Sequence, residues 1–394
     1  MNRSFEISKR VLGWALLFLI LLRPAGLVYI IGIERLSRVI CLVISGYAIL
    51  QAFVSNSLTK ANIIYILMSL WLMFCTFCNG TSDDIFECCV VAISNIGMVC
   101  FISYSICRDI ASCLKSMYVT YTILILLNFL YMVVHPMGYN LSEWTLYGRG
   151  YFLFGHQNTT ITYVLPAICI ALIAYKKGII RKWQMLITIL VSIGSIVKIF
   201  SATSLVGLVV FFGVLVLLQR GIIDKYLKAG WAILMGTGIC VGIVVFNIQT
   251  KGMLADFIVN VLHRTTTLTS RTVIWEKAIA LIKNNLLIGI GYKVNTTFQS
   301  LIHGSSAHNE YLFMLLQGGV ILLVFFYLFF IVSEKAMEKY STTYVSRVFV
   351  ALYFSLFIQF LTETHMHRMA PLLALIGCAD IMIRDELTSQ NSEC

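Results

Sequence analysis

Three stretches of the chain gather residues able to handle protons and charge. The first runs Arg149-Gly150-Tyr151-Phe152-Leu153-Phe154-Gly155-His156-Gln157-Asn158. The second holds Arg264 with Thr265, Thr266 and Thr267, then Ser270-Arg271 and Trp275-Glu276, and ends on Gly289-Ile290-Gly291-Tyr292. The third is Ser306-Ala307-His308-Asn309-Glu310-Tyr311, followed by Gln317-Gly318-Gly319. Imidazole exchanges protons near neutral pH, so polar, proton-transferring chemistry is the first expectation. The same residues have plainer uses. An arginine at a membrane boundary anchors a helix, and His308 with Asn309 can cap one. His365 and His367, beside Glu363 and Arg368, have the His-x-His spacing of half a metal site. No complete ligand set accompanies them, and neither a metal nor a cofactor is expected.

The elements that must position these residues are membrane helices. Of 394 residues, 59% are hydrophobic and only 12% charged, about half the roughly 25% of a soluble domain. Apolar runs appear near 11–33, 36–55, 63–78, 85–107, 117–135, 159–175, 183–200, 203–218, 228–247, 309–332, 347–363 and 369–383. Each approaches the roughly 20 residues that span a bilayer. They are continuous rather than alternating, which excludes an outer-membrane barrel. The expected fold is an all-α integral membrane protein of about 12 transmembrane helices, with residues 1–394 as one polytopic domain.

A net charge of +11 would point to nucleic acid in a soluble chain. Here basic residues orient the helices instead, and no nucleic-acid partner is expected. Lys9, Arg10, Lys60, Arg108, Lys176, Lys177, Arg181, Lys182 and Arg220 share one side, which puts both termini in the cytoplasm. The first apolar run passes Arg23-Pro24 without a small-residue cleavage site, so no cleavable signal peptide is expected. Arg23 is costly facing lipid; it lines a cavity or sits where the helix breaks. The 12 Cys lie mostly inside apolar runs and read as packing residues.

On this topology two outer loops stand out, a short one at 136–158 and a long one at 248–308. A connection of the second length is seldom kept without a use. Within it, Ile274, Trp275, Ala278, Ile279 and Ile282 recur at helical spacing across 271–287. That is an amphipathic helix, lying on the membrane surface, capping a cavity or packed against the bundle. All seven His (His135, His156, His263, His303, His308, His365, His367) fall at or beyond the outer face.

The ordered motifs resemble the superfamily of O-antigen ligases and Wzy-type O-antigen and capsular polysaccharide polymerases. In that family an Arg–Gly–Phe–Asn segment precedes a span, matched here by Arg149, Gly150, Phe154 and Asn158. A Ser-Arg…Trp segment follows (Ser270, Arg271, Trp275), then Gly-x-Gly (Gly289, Gly291), then His-Asn opening a span with a trailing glycine (His308, Asn309, Gly319). Order and spacing agree over about 140–330. The family often has a Ser-Arg pair between the seventh and eighth spans; this chain has Ser201, Ala202, Thr203 and Ser204 there, leaving Lys198 as the nearby cation.

The resemblance implies a GT-C-like glycosyltransferase in the bacterial plasma membrane. It would move a glycan from undecaprenyl diphosphate to an acceptor sugar at the outer face, inverting the anomeric centre without metal. Its implied partners are the lipid-linked glycan, the acceptor glycan, membrane lipid, and assembly proteins such as a flippase or chain-length regulator. His308 would be the general base, and Arg271, Arg149 and Arg264 would hold the diphosphate, whose growing charge favours planar guanidinium donors. Lys198, Asn158, Asn309, Glu363 and Arg368 are further substrate-binding candidates. Polymerisation of repeat units is the expected reaction. A ligase that transfers a finished glycan shares the motifs, and a polysaccharide transporter or flippase is the reading from another class. A transporter would show paired halves and broken helices meeting at the midplane, whereas the polar residues here crowd the outer edge.

Overall fold

The computed structural model describes residues 8–139, 150–221, 227–246, 260, 271–304 and 306–391. Among these, nine helices are long and apolar enough to cross a membrane, or ten if one bent pair counts as a single span. The all-α membrane architecture is therefore as the composition demands, and three of the twelve apolar runs differ from simple spans.

The first run is broken. Helices α1 (Lys9–Leu22) and α2 (Ala25–Ile31) meet at an angle of 88°. Pro24 lacks an N–H and disfavours a helical conformation in the residue before it. Arg23 accordingly takes a left-handed conformation, φ 39° and ψ 68°, at the end of α1. Next come α3 (Glu34–Val54), α4 (Lys60–Asn79), α5 (Ser82–Arg108) and α6 (Ile110–Val134). A two-residue hairpin, β1 (Tyr151–Phe152) against β2 (Gly155–His156), precedes α7 (Ile161–Lys176), α8 (Lys182–Ile199), α9 (Ala202–Gln219) and α10 (Ala229–Phe246).

The long 248–308 segment contains α11 (Arg271–Asn284) and α12 (Asn295–Ile302). Trp275, Ala278 and Ile282 of α11 are buried and Ile274 and Ile279 half-buried. Its apolar face packs on α12 and on the next helix, α13 (Glu310–Lys339), and Val273 and Ile274 border the chamber described below. The eleventh run forms α14 (Tyr344–Gln359), only 16 residues. The twelfth is divided at Cys378 into α15 (Ala370–Gly377) and α16 (Ala379–Asn391).

Two devices tie the elements around the site to α13. Phe326 and Phe330 of α13 meet Phe357 of α14 and Phe360 edge-on, Phe330 and Phe357 at 4.9 Å and 70°. Such pairs add about 0.5–1.5 kcal/mol beyond their buried area. They hold the chain after α14 against α13. The second device is a break inside α13 at Gly319 (φ 66°, ψ −164°). A broken helix leaves carbonyls without partners. Ile290 N and Gly291 N donate to Leu316 O and Gln317 O at 2.8 and 2.9 Å, and Trp71 Nε1 donates to Gly318 O at 2.9 Å. The Gly-x-Gly and Gln-Gly-Gly motifs are therefore two halves of one backbone joint.

Candidate functional site

The site is built on the turn after α14 and on the entry to α13. Glu310, fully buried in the first turn of α13, accepts His365 N at 2.6 Å and Met366 N at 3.1 Å through Oε2. Its own N–H donates to Phe360 O at 2.8 Å. This clip presents Glu363 and His365 to His308, two residues ahead of α13. His308 is itself left-handed (φ 47°), and the Ala307 carbonyl beside it accepts Trp275 Nε1 at 2.9 Å. The apolar face of α11 thereby helps set the imidazole.

Glu363 is the centre of the arrangement. Its Oε1 accepts Arg271 Nη2 at 2.8 Å and Asn158 Nδ2 at 2.9 Å. Its Oε2 faces His308 Nδ1 at 3.6 Å, just outside hydrogen-bond reach. Arg271 also donates through Nη1 to Thr362 O. Burial pushes the Glu363 carboxyl up, but Arg271, and then His308 and His365, outweigh it and hold it well below the usual carboxylate range. A carboxylate fixed by two donors and aimed at one ring nitrogen orients the imidazole and stabilises its protonated form.

These groups border one cavity of about 1180 Å³. His308, Glu363, Asn158, Arg368 and Arg23 line it, with Tyr139, Tyr151, Tyr163 and Tyr292. Five of the seven His do so as well: His156, His303, His308, His365 and His367. His135 does not line it, and His263 lies outside the described residues. His365 is 2% exposed, and neither ring nitrogen has a partner among the described residues. Burial pushes its pKa down to about 4, and burial with the neighbouring Arg368 pushes His367 down to about 3, so both are neutral at pH 7. Arg368 is an exposed residue on the chamber wall, and desolvation by its surroundings lowers its pKa.

The sequence-expected residues fare differently. His308, Asn158, Glu363 and Arg271, though far apart in the chain, come together. Arg271 donates to Glu363 and to the Thr362 carbonyl and is not itself on the chamber wall. Asn309 is fully buried, capping α13 through Leu312 N (3.0 Å) and donating to Leu361 O (3.1 Å), so it does not face the chamber. Lys198 is exposed at the end of α8 and is not on the chamber wall; Ser201 nearby instead donates to Asn158 Oδ1 at 3.4 Å. Arg149, Arg264, Ser270 and His263 lie outside the described residues. Among the described residues no group of three or more His, Cys, Asp and Glu is arranged to hold a metal ion. Sequence reasoning missed the Glu310 clip; an acidic residue opening an otherwise apolar span was its only sign.

No curated protein matches the chain. Residues 186–327, from α8 through Arg271 and His308 into α13, match the family described as O-antigen ligase, and this match supports for the chain the O-antigen ligase and Wzy-type superfamily that its motifs resemble, a glycosyltransferase-like membrane enzyme of polysaccharide assembly.

Proposed function

We propose that this chain is a lipid-linked oligosaccharide polymerase, extending a glycan at the outer face of the bacterial plasma membrane. The observation that supports it most is the fixed Glu363 carboxylate 3.6 Å from His308 Nδ1, at the wall of a chamber of about 1180 Å³. With Nδ1–H directed at Glu363, Nε2 carries the free lone pair. It accepts the proton of an acceptor sugar hydroxyl as that oxygen bonds to the anomeric carbon. The bond from that carbon to the carrier's diphosphate oxygen breaks, and the prenyl diphosphate leaves with the electron pair. Attack from the side opposite the leaving group inverts the centre. Glu363 stabilises the imidazolium, and arginines at the chamber stabilise charge growing on the diphosphate more than the starting state. The tyrosines supply apolar faces and hydroxyls for sugar rings.

The test is a reconstituted assay with the full chain in liposomes and an undecaprenyl-diphosphate-linked repeat unit. A ladder of products is expected. A single transfer to a different acceptor would assign ligase activity instead, and absence of any transfer would remove the transferase reading. His308→Ala should lose about 10²–10⁴-fold in rate while accumulating normally in membranes; undiminished polymer would remove the base assignment. Transport of glycan without bond formation would favour a flippase.

A further inference from the structure

Four rings stand in a row on one wall of the chamber. Tyr139 N donates to Tyr151 O at 2.9 Å, an antiparallel bridge that adds a further edge to the β1–β2 hairpin. Within the hairpin Tyr151 is paired with His156. Residues directly opposite in antiparallel pairs turn their side chains to the same face, so Tyr139, Tyr151 and His156 stand side by side. The rings follow that register: Tyr139 and Tyr151 lie 5.9 Å apart, and Tyr151 and His156 5.5 Å apart, centre to centre. Tyr29 of α2 extends the row, stacked on Tyr139 at 5.2 Å and 18°. Its helix is docked on the hairpin, where Leu27 N donates to Leu153 O at 3.0 Å. The approach is close, since a Cβ on Gly26 would stand 2.0 Å from Phe152 O.

The row begins beside the Glu363 carboxylate. His156 Nδ1 accepts Asn158 N at 3.3 Å, and Asn158 Nδ2 donates to Glu363 Oε1 at 2.9 Å. From there the rings lead to Tyr29, which is 44% exposed; the other three are half-buried, and all four line the chamber. Tyrosines that serve only as interfacial anchors sit where the protein meets lipid headgroups, whereas these border a cavity. A hydrocarbon chain is matched by an aliphatic wall, but this one carries three hydroxyls. A ligand with an apolar C–H face and a rim of hydroxyls matches both halves of a tyrosine, and a sugar ring is such a ligand. With no carboxylate, lysine or arginine among the four, the row requires no charge on it.

We propose that Tyr29, Tyr139, Tyr151 and His156 form a track on which uncharged sugars of a glycan stack in succession, leading away from Glu363. That the glycan is a growing chain rests on the transfer reaction proposed above; binding of an oligosaccharide does not. Several weak contacts in a row hold a long chain more firmly than a short one, so the track would keep a product in place for the next transfer.

The test is calorimetric binding to the full chain in nanodiscs with two probes. One is the free oligosaccharide released from the lipid-linked repeat unit, carrying neither lipid nor phosphate; the other is farnesol. The oligosaccharide should bind, and Tyr29→Ala and Tyr139→Ala should each weaken it about tenfold, the scale of one lost stacked ring. Tyr139→Phe, which keeps the ring, should retain most of the affinity. In the reconstituted assay both alanine variants should shift the ladder of products toward shorter chains. Affinity unchanged in normally folded Tyr29→Ala and Tyr139→Ala overturns the track and returns the rings to interfacial anchoring. No binding of the oligosaccharide to the unaltered chain also overturns it, as does a loss confined to farnesol, which would mark a hydrocarbon groove. Should Tyr139→Ala fail to accumulate, Tyr29→Ala against Tyr29→Phe makes the same comparison. Ring-dependent binding by a chain that transfers no glycan keeps the track and removes the transferase reading. Unchanged affinity with unchanged product lengths removes the track and leaves the transferase reading standing.

Discussion

Arg271 Nη2 donates to Glu363 Oε1 at 2.8 Å across 92 residues of sequence, joining the first residue of α11 to the turn after α14. The side chains are only 15% and 8% exposed, so the pair is largely desolvated and each charge depends on the other. Its use is directional: it leaves Glu363 Oε2 facing His308.

Glu363→Gln tests that direction. The neutral amide can still accept from Asn158 or Arg271 through its oxygen, and its NH2 then faces His308 Nδ1. That favours the ring form with the proton on Nε2, which cannot act as base. Glycan transfer should fall by about 10²–10⁴-fold, with loss of stability because the Arg271 charge remains buried; breaking such pairs costs about 3–5 kcal/mol. Comparing transfer rate and thermal unfolding separates the two effects. Transfer near the original rate would show that Glu363 does not set the imidazole.

Arg271→Lys keeps the charge and removes the fork. Arg271 holds Glu363 and the Thr362 carbonyl at once, and a single ammonium on a flexible stem does not reproduce both directions. Transfer should drop by about tenfold or more, the scale of one lost charge-assisted bond. A positioning role predicts that the loss appears in the rate at saturating donor, with little change in apparent donor affinity. The reverse pattern, weaker donor binding at an unchanged maximal rate, would return Arg271 to direct contact with the diphosphate.

Much of this site was readable from sequence, because local rules govern its parts. The period of Ile274, Trp275, Ala278 and Ile282 marked α11, and His308-Asn309 marked the start of α13. Long-range pairing was not readable: nothing in the order of residues ties Arg271 to Glu363 or lets Glu310 clip the turn at His365. The 88° break was half visible, since Arg23-Pro24 interrupts a run whose hydropathy alone reads as one span. The division at Cys378 had less warning, because only Gly377 and Asp380 interrupt the apolar character of 369–383. The inward turn of Asn309 and the exposure of Lys198 were not readable either, because residue type does not reveal which way a side chain turns at a helix end.

Acid should destabilise the fold, and the sign follows from the buried rings. His365 binds its proton near pH 4 when folded, against about 6.5 in an unfolded chain. Between these values the unfolded chain holds the extra proton, so stability rises with pH by up to about 1.4 kcal/mol per pH unit. It is fully present above about 6.5 and is lost as pH falls toward 4. His367 acts in the same direction down to about 3. Glu363, with its depressed pKa, adds stability that is present above the ordinary carboxylate range and lost as pH falls through its folded value. Thermal unfolding of the detergent-purified chain from pH 7.5 to 4 should show this fall, and His365→Leu should flatten it. An unchanged slope in that variant would mean that His365 is protonated in the folded state.

The glycine joint predicts a contrast between two substitutions of the same kind. Gly319 combines φ 66° with ψ −164°, a region essentially restricted to glycine. A Cβ there would stand 2.1 Å from the Leu287 carbonyl oxygen, which is backbone and cannot swing aside. Val320 N also donates to Leu286 O at 2.9 Å, so relieving the clash opens the joint. Gly319→Ala should therefore cost about 3 kcal/mol, and the loosened 285–291 segment should become more exposed to protease. A Cβ on Gly46, in the middle of α3, would meet nothing within 4 Å. Gly46→Ala should be neutral or stabilise by up to about 1 kcal/mol. The joint also sets α11 and, through Trp275 and Ala307, the His308 ring, so Gly319→Ala should slow transfer while Gly46→Ala does not. Equal unfolding temperatures for the two variants would show that the outer loop is held on α13 by something other than this backbone contact.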